Sequence, residues 1–195
     1  MARMFQWERV TRETRIRAAI ELDGEGNSDI RTGIGFFDHM LVLLARHSLM
    51  DLTVEADGDL EVDAHHTVED TGIVLGRLIA QALGDKAGIR RYGFASIPMD
   101  EALATASIDL SGRPYLRFDA TFSYGRVGTF DTGLAEEFFR ALTTQAGITL
   151  HLSCVHASND HHAIEALFKA FARALREAVE PDPRNPGVPS TKGVL

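Results

Sequence analysis

The chain has 195 residues, 45% hydrophobic and 25% charged, the balance of an ordinary globular protein long enough to bury a sizeable core. A net charge of −8 with no long basic run argues against non-specific nucleic-acid binding. No apolar stretch is long enough to span a bilayer or to form the core of a signal peptide, so no membrane association and a cytoplasmic location are the default expectations.

In chain order, alternation from Arg15 to Leu22 predicts a half-buried strand ending at Gly24. Met40, Leu41, Leu43 and Leu44 predict a helix, and Leu52 to Val54 a short core strand. A second helix starts at His65-His66 and runs to about Leu83. The same order then returns. A strand spans Ala104 to Leu110, and Leu134, Phe138, Phe139 and Leu142 mark a helix. Ile148 to Leu152 is a core strand, and a last helix runs from His161-His162 to Val179, stopped by Pro181 and Pro183. Asn159 or Asp160 is its expected N-cap. The one cysteine, Cys154, excludes an internal disulfide and reads as a buried structural thiol in the apolar run Ile148 to Val155. From Pro181 to Leu195 four prolines and no periodicity predict an extended tail, mobile until something binds.

The returning order is an internal repeat. Ile20-Glu-Leu-Asp-Gly24 recurs as Ile108-Asp-Leu-Ser-Gly112, an offset of 88 that also places Glu13 on Glu101. Phe37-Asp-His39 and Glu136-Glu137-Phe138 lie in comparable helical stretches about 98 apart, and His65-His-Thr-Val-Glu69 recurs as His161-His-Ala-Ile-Glu165 at 96. Two copies of one α/β unit, residues 1–90 and 91–180, followed by the tail 181–195, account for the pattern and predict an α+β protein.

On a helix, residues four apart share a face, so His65 with Glu69 and His161 with Glu165 can each converge on one ion. The adjacent histidine points about 100° away and reaches a second ion. A duplicated fold or an oligomer interface would bring the motifs together. Imidazole with few carboxylates suits manganese, iron, cobalt or zinc better than magnesium or calcium. One such pair alone is usually capping or solvated surface; two at matching places in a repeat are not. His39 and its counterpart Glu137 are further candidate ligands. His47 reads as a partner of its helix's C-terminal dipole, His151 as core-facing and His156 as a loop residue. Of the cations, Arg91, Arg113 and Lys192 lie in turn or terminal segments and suit a phosphate, with the Ser-Thr-Lys run adding hydroxyl and amide donors. Rival readings are a di-iron carboxylate helix bundle and a non-catalytic metal-binding scaffold.

Arg9-Val-Thr-Arg-Glu13-Thr, Gly35-Phe-Phe-Asp-His39-Met-Leu, Asp63-Ala-His-His-Thr-Val-Glu-Asp70 and Arg91-Tyr-Gly form an ordered set. It continues through Pro98-Met-Asp-Glu-Ala-Leu103, Asp109-Leu-Ser-Gly-Arg-Pro114, Asn159-Asp-His-His-Ala-Ile-Glu165 and Pro189-Ser-Thr-Lys-Gly193. Over nearly the whole chain this resembles the imidazoleglycerol-phosphate dehydratase family of histidine biosynthesis. The resemblance implies two tandem ribosomal S5 domain 2-like units, each a sheet packed on two helices, assembled into a 24-subunit shell with sites between subunits. It implies two manganese ions per active site and dehydration of imidazole glycerol phosphate to imidazole acetol phosphate through a metal-bound imidazolate and a diazafulvene-like intermediate. Carried over by position, His39, His65, His66, Glu69, Glu137, His161, His162 and Glu165 are the implied metal ligands. Glu13, His39, His47, His65, Glu69, Arg91, Arg113, His161, Lys169, Ser190, Thr191 and Lys192 are the implied substrate contacts, with Glu13 and Glu165 moving protons and the tail closing over the substrate. Glu137 departs from relatives that carry histidine there, which adds negative charge and makes the two metal sites unequal.

Overall fold

The alternation that begins at Thr14 puts Ile16, Ala18 and Ile20 on one face, and in the computed structural model, which describes residues 3–193 and Leu195, all three are buried. They belong to β2 (Thr14–Glu21), which pairs antiparallel with β1 (Met4–Val10) and with β4 (Asp51–Gly58). The short β3 (Ser28–Arg31) runs parallel to β4, giving the sheet order β1-β2-β4-β3. Helix α1 (Gly35–Ser48) precedes β4, and α2 (His65–Leu83) follows it.

The second half repeats this order. β5 (Tyr92–Met99), β6 (Ala102–Asp109), β7 (Tyr115–Asp119) and β10 (Thr149–His156) form a sheet ordered β5-β6-β10-β7, with the same senses of pairing. α3 (Leu134–Ala146) and α4 (Asp160–Val179) match α1 and α2. A small hairpin, β8 (Arg126–Val127) and β9 (Phe130–Asp131), is inserted between β7 and α3. This insertion is why the repeat offset grows from 88 to 98 along the chain.

The four helices lie between the two sheets and exchange partners: α2 packs on α3, and α1 on α4, so each contact joins the two halves. Gly72 and Gly76 allow the first approach. A Cβ at Gly72 would lie 2.7 Å from the Phe138 carbonyl oxygen, and one at Gly76 only 2.4 Å from that of Leu142. The core between them is aromatic, with Phe138, Phe139, Phe168 and Phe171 all fully buried and Phe139–Phe168 ring centroids 4.8 Å apart. One continuous hydrophobic cluster spans both halves.

Several local expectations change. Asn159 is the cap of α4, accepting from the His161 and His162 backbone N–H groups, while Asp160 turns inward to accept from Ser123 and Tyr124. Cys154 is half-buried rather than enclosed, because its strand position falls near the end of β10. His151 sits on the solvent face of β10, and His156 is the last residue of that strand, not a loop residue. The tail lacks regular structure but is tied down: Gly88 N–H donates to Gly187 O, Asp182 N–H to Gly88 O, and the Arg91 guanidinium to Pro189 O at 2.7 Å. No helix among the described residues is long and apolar enough to cross a membrane.

Candidate functional site

Asp38 fixes the start of α1 by accepting from both the backbone N–H and the hydroxyl of buried Thr32, at 2.8 and 2.5 Å. His39, the next residue, is thereby presented toward the first turn of α4. There Glu165 Oε2 lies 3.2 Å from His161 Nε2 and 3.5 Å from His39 Nε2. One ligand atom from each of His39, His161 and Glu165 falls within 4.8 Å of the other two, the only such group among the described residues. Two imidazole nitrogens and one carboxylate oxygen at this spacing fit a single first-row divalent ion.

Glu165 is 6% exposed. Burial works against its charge, but the Lys169 ammonium at 2.6 Å, with His39 and His161, outweighs it and holds the carboxyl below its ordinary range. Lys169 also faces His47 across the α1–α4 contact. Burial, followed by the charges of Lys169 and Arg173, pushes the half-buried His47 imidazole down.

The corresponding set in the other half is more open. His65 Nε2 and Glu69 Oε2 are 3.9 Å apart and both side chains are 44% exposed. Glu137 lines a cavity of about 590 Å³ together with His65, Asp63, Arg126 and Asp131, but its carboxylate leans on Arg140 at 3.7 Å. Folding of one chain therefore does not bring the two His pairs onto one ion.

The second histidine of each pair is held differently from the first. His66 Nδ1 lies 3.0 Å from Asp59, and His162 Nδ1 lies 2.8 Å from Glu101. These carboxylates raise both imidazoles, and the His162 contact holds Glu101 down to about 2. A carboxylate on Nδ1 leaves Nε2 as the ring's other nitrogen, the usual support for a metal-binding histidine. Neither Asp59 nor Glu101 was among the candidate site residues. Glu101 had a signal, its alignment with Glu13; Asp59 had none. Glu13 itself sits in the β1–β2 turn, 3.9 Å from His66 Nδ1 and 55% exposed.

The candidate phosphate ligands meet elsewhere. Arg91, Arg113, Ser190, Thr191 and Lys192 line one cavity of about 790 Å³. Arg91 is bidentate on Asp109, at 2.7 and 3.1 Å, and its φ of 71° is a left-handed conformation uncommon for a non-glycine residue. Arg113 reaches the same aspartate at 3.8 Å and remains 70% exposed. This cavity adjoins the C-terminal end of α4, since Arg91 N–H donates to Ala178 O, whereas the triad lies at the N-terminal end. From His161 to Ala178 the helix rises about 25 Å at ~1.5 Å per residue.

The chain matches the sequence model of the family Imidazoleglycerol-phosphate dehydratase over residues 32–175. It is 63% identical over 193 residues to the Imidazoleglycerol-phosphate dehydratase of Symbiobacterium thermophilum, covering 99% of this chain and 93% of that one. It is 62% identical to that of Paracoccus denitrificans over 96% of each. Its fold is similar to the Staphylococcus aureus Imidazoleglycerol-phosphate Dehydratase crystal structure, with TM-score 0.84, 46% identity and coverage of 91% and 99%. A Pyrococcus furiosus IGPD structure in complex with (S)-C348 is similar at TM-score 0.84 and 35% identity, covering 97% of this chain and all of that one. With 93% or more of each of these relatives matched and a triad of histidine and carboxylate donors assembled across its two halves, the chain belongs to the imidazoleglycerol-phosphate dehydratase family.

Proposed function

We propose that the chain is a metal-dependent carbon–oxygen hydro-lyase that removes water from imidazole glycerol phosphate, using two manganese ions held between copies of itself. The observation that carries this reading is the His39–His161–Glu165 triad, closed in one chain, together with two further histidines each held through Nδ1 by a carboxylate. His39, His161 and Glu165 would hold one ion, and His65, Glu69 and, by its place in the repeat, Glu137 the other. His66 and His162 would complete the sets of neighbouring copies. Bound there, the ions would supply Lewis acidity toward the imidazole ring of the substrate.

The residues divide the remaining work. Arg91, Arg113, Ser190, Thr191 and Lys192 anchor the phosphate, so that binding energy remote from the reaction orients the ring. Glu13, exposed and unclamped, takes the carbon-bound proton, and the hydrogen-bonded Glu165–Lys169 pair works at the departing hydroxyl. His47, its imidazole pushed down by burial and by Lys169, is a further candidate substrate contact. The substrate spans roughly 10 Å by ordinary bond lengths. The gap of about 25 Å between triad and phosphate cavity in one chain therefore supports a site shared by several copies, in keeping with a 24-subunit shell.

The test is formation of imidazole acetol phosphate by the purified protein, with manganese and after chelation. Product with manganese and its loss on chelation are expected; no product under replete manganese would overturn the reading, and full activity after exhaustive chelation would remove the metals from it. Mass measured alongside addresses the shell, with chelation expected to dissociate it.

A further inference from the structure

Glu13 and Glu101 occupy the same place in the two halves, the second central residue of the hairpin joining the first two strands, yet their surroundings differ in kind. Glu101 is fully engaged: it accepts from His162 at 2.8 Å and from both the backbone N–H and hydroxyl of Ser158. Glu13 is 55% exposed and stands 3.9 Å from His66 Nδ1, which Asp59 holds more closely at 3.0 Å. Beneath the Glu13 turn lies a polar network. Asp70, 6% exposed, accepts from the Thr14 hydroxyl at 2.5 Å and pairs with Arg9 Nη2 at 3.0 Å. The Thr11 hydroxyl oxygen accepts from the backbone N–H groups of Glu13 and Thr14, at 3.1 and 2.9 Å.

In the second half the four corresponding positions are Ile97, Met99, Ala102 and Ala166, all apolar. The same hairpin is thus built on the same helix without guanidinium, hydroxyls or carboxylate, so the fold does not require them. A buried charged network is a poor general stabiliser but fixes one geometry when every member is satisfied. At this second central position the first half presents an exposed carboxylate over a polar network, whereas Glu101 is held by His162 and Ser158 over apolar side chains.

We propose that Arg9, Thr11, Thr14 and Asp70 position Glu13 for proton transfer, with Asp70 as the coupling residue. Asp70 follows Glu69 on α2, so the network sets the Glu13 turn against the same helix that carries His65, His66 and Glu69. Asp70 acts through the turn and needs no contact with substrate. The inference rests on the reading of Glu13 as the base for the carbon-bound proton.

The test uses the manganese-loaded assembly. Asp70→Asn and Thr14→Val each lower kcat on the order of ten- to a hundredfold, with KM, manganese stoichiometry and assembly mass unchanged. A combined Arg9→Ile, Thr11→Met, Thr14→Ala, Asp70→Ala variant, which copies the second half's own solution, folds and binds manganese with the same kinetic loss. In a Glu13→Gln background the added effect of Asp70→Asn vanishes, because both act on one step. If Asp70→Asn and Thr14→Val retain kcat within about twofold, or lose activity only in proportion to lost manganese, or remain additive with Glu13→Gln, the positioning role is wrong. A fully active Glu13→Gln would instead overturn the reading of Glu13 itself, and the positioning role with it. Should the Asp70 variants not fold, Thr14→Val, which leaves the Arg9–Asp70 pair intact, decides the matter alone.

Discussion

Replacing Lys169 with methionine removes the ammonium in contact with a nearly buried carboxylate while keeping most of the aliphatic stem. Nζ lies 2.6 Å from Glu165 Oε1, and the two side chains are 17% and 8% exposed. Removing one partner of a buried pair costs about 3–5 kcal/mol, because the other charge is stranded. Here His161 at 3.2 Å and His39 at 3.5 Å remain as partners. The expected loss at pH 7 is accordingly smaller, about 2 kcal/mol. Its pH dependence has a defined sign. The folded carboxyl is held below its ordinary range, so the stability it contributes is complete above the ordinary carboxylate pKa of ~4.3 and is lost as pH falls through the folded value. In the variant, burial is less opposed and the carboxyl moves up. The gap between wild type and variant is therefore widest near neutrality and closes in acid. Urea unfolding of chelated protein at pH 7, 5 and 4, at one protein concentration, measures this. A gap that does not change with pH, or no gap, refutes the claim that Lys169 keeps Glu165 ionised. Manganese supplies a second reading: it competes with Lys169 for the same carboxylate, so the variant gains more stability from saturating metal than the wild type.

Three further outcomes are expected. Gly76→Ala places a Cβ about 2.4 Å from a backbone oxygen that cannot yield, and forcing α2 from α3 costs about 3 kcal/mol in the urea midpoint of the chelated protein. Glu101→Gln weakens manganese binding on the order of ten- to a hundredfold by releasing the His162 ring, whereas Glu13→Gln leaves manganese titrations unchanged and lowers kcat. Arg91→Lys keeps a charge but loses the fork on Asp109 and the bond to Pro189, so KM for the phosphorylated substrate rises about tenfold, while kcat at saturation changes little.

What could be read in the sequence follows from how local each signal is. The bounds of α4 are legible because Asn159, the apolar periodicity and Pro181 all lie within or next to the helix. β8 and β9, of two residues each, carry no period at all, so the insertion showed only as a drift in repeat spacing. β1, mostly exposed on an edge, lacks clean alternation and went unseen. Among site residues, types and spacings pointed to the candidate ligands, but not to which close on one another. That depends on helix pairing: His39 meets His161 because α1 lies on α4, and Glu165 is buried where Glu69 is not. Asp109 and Asp59, which orient Arg91 and His66, lie 18 and 7 residues from their partners, and no spacing in the sequence ties either to the side chain it holds.

The exchange of helices has a consequence for how the protein would come to hold the proposed metal. The triad takes His39 from the first half and His161 with Glu165 from the second, so neither half alone presents three clustered donors. A metal ion cannot act as the template on which either half folds, as it does in small zinc domains. Docking of the halves, driven by the aromatic seam and the close α2–α3 approach, has to come first. Metal uptake at the triad would then be a late event that reads out whether the two halves have met, and a chain cut between Leu83 and Arg91 should acquire an ion there only after its fragments reassociate.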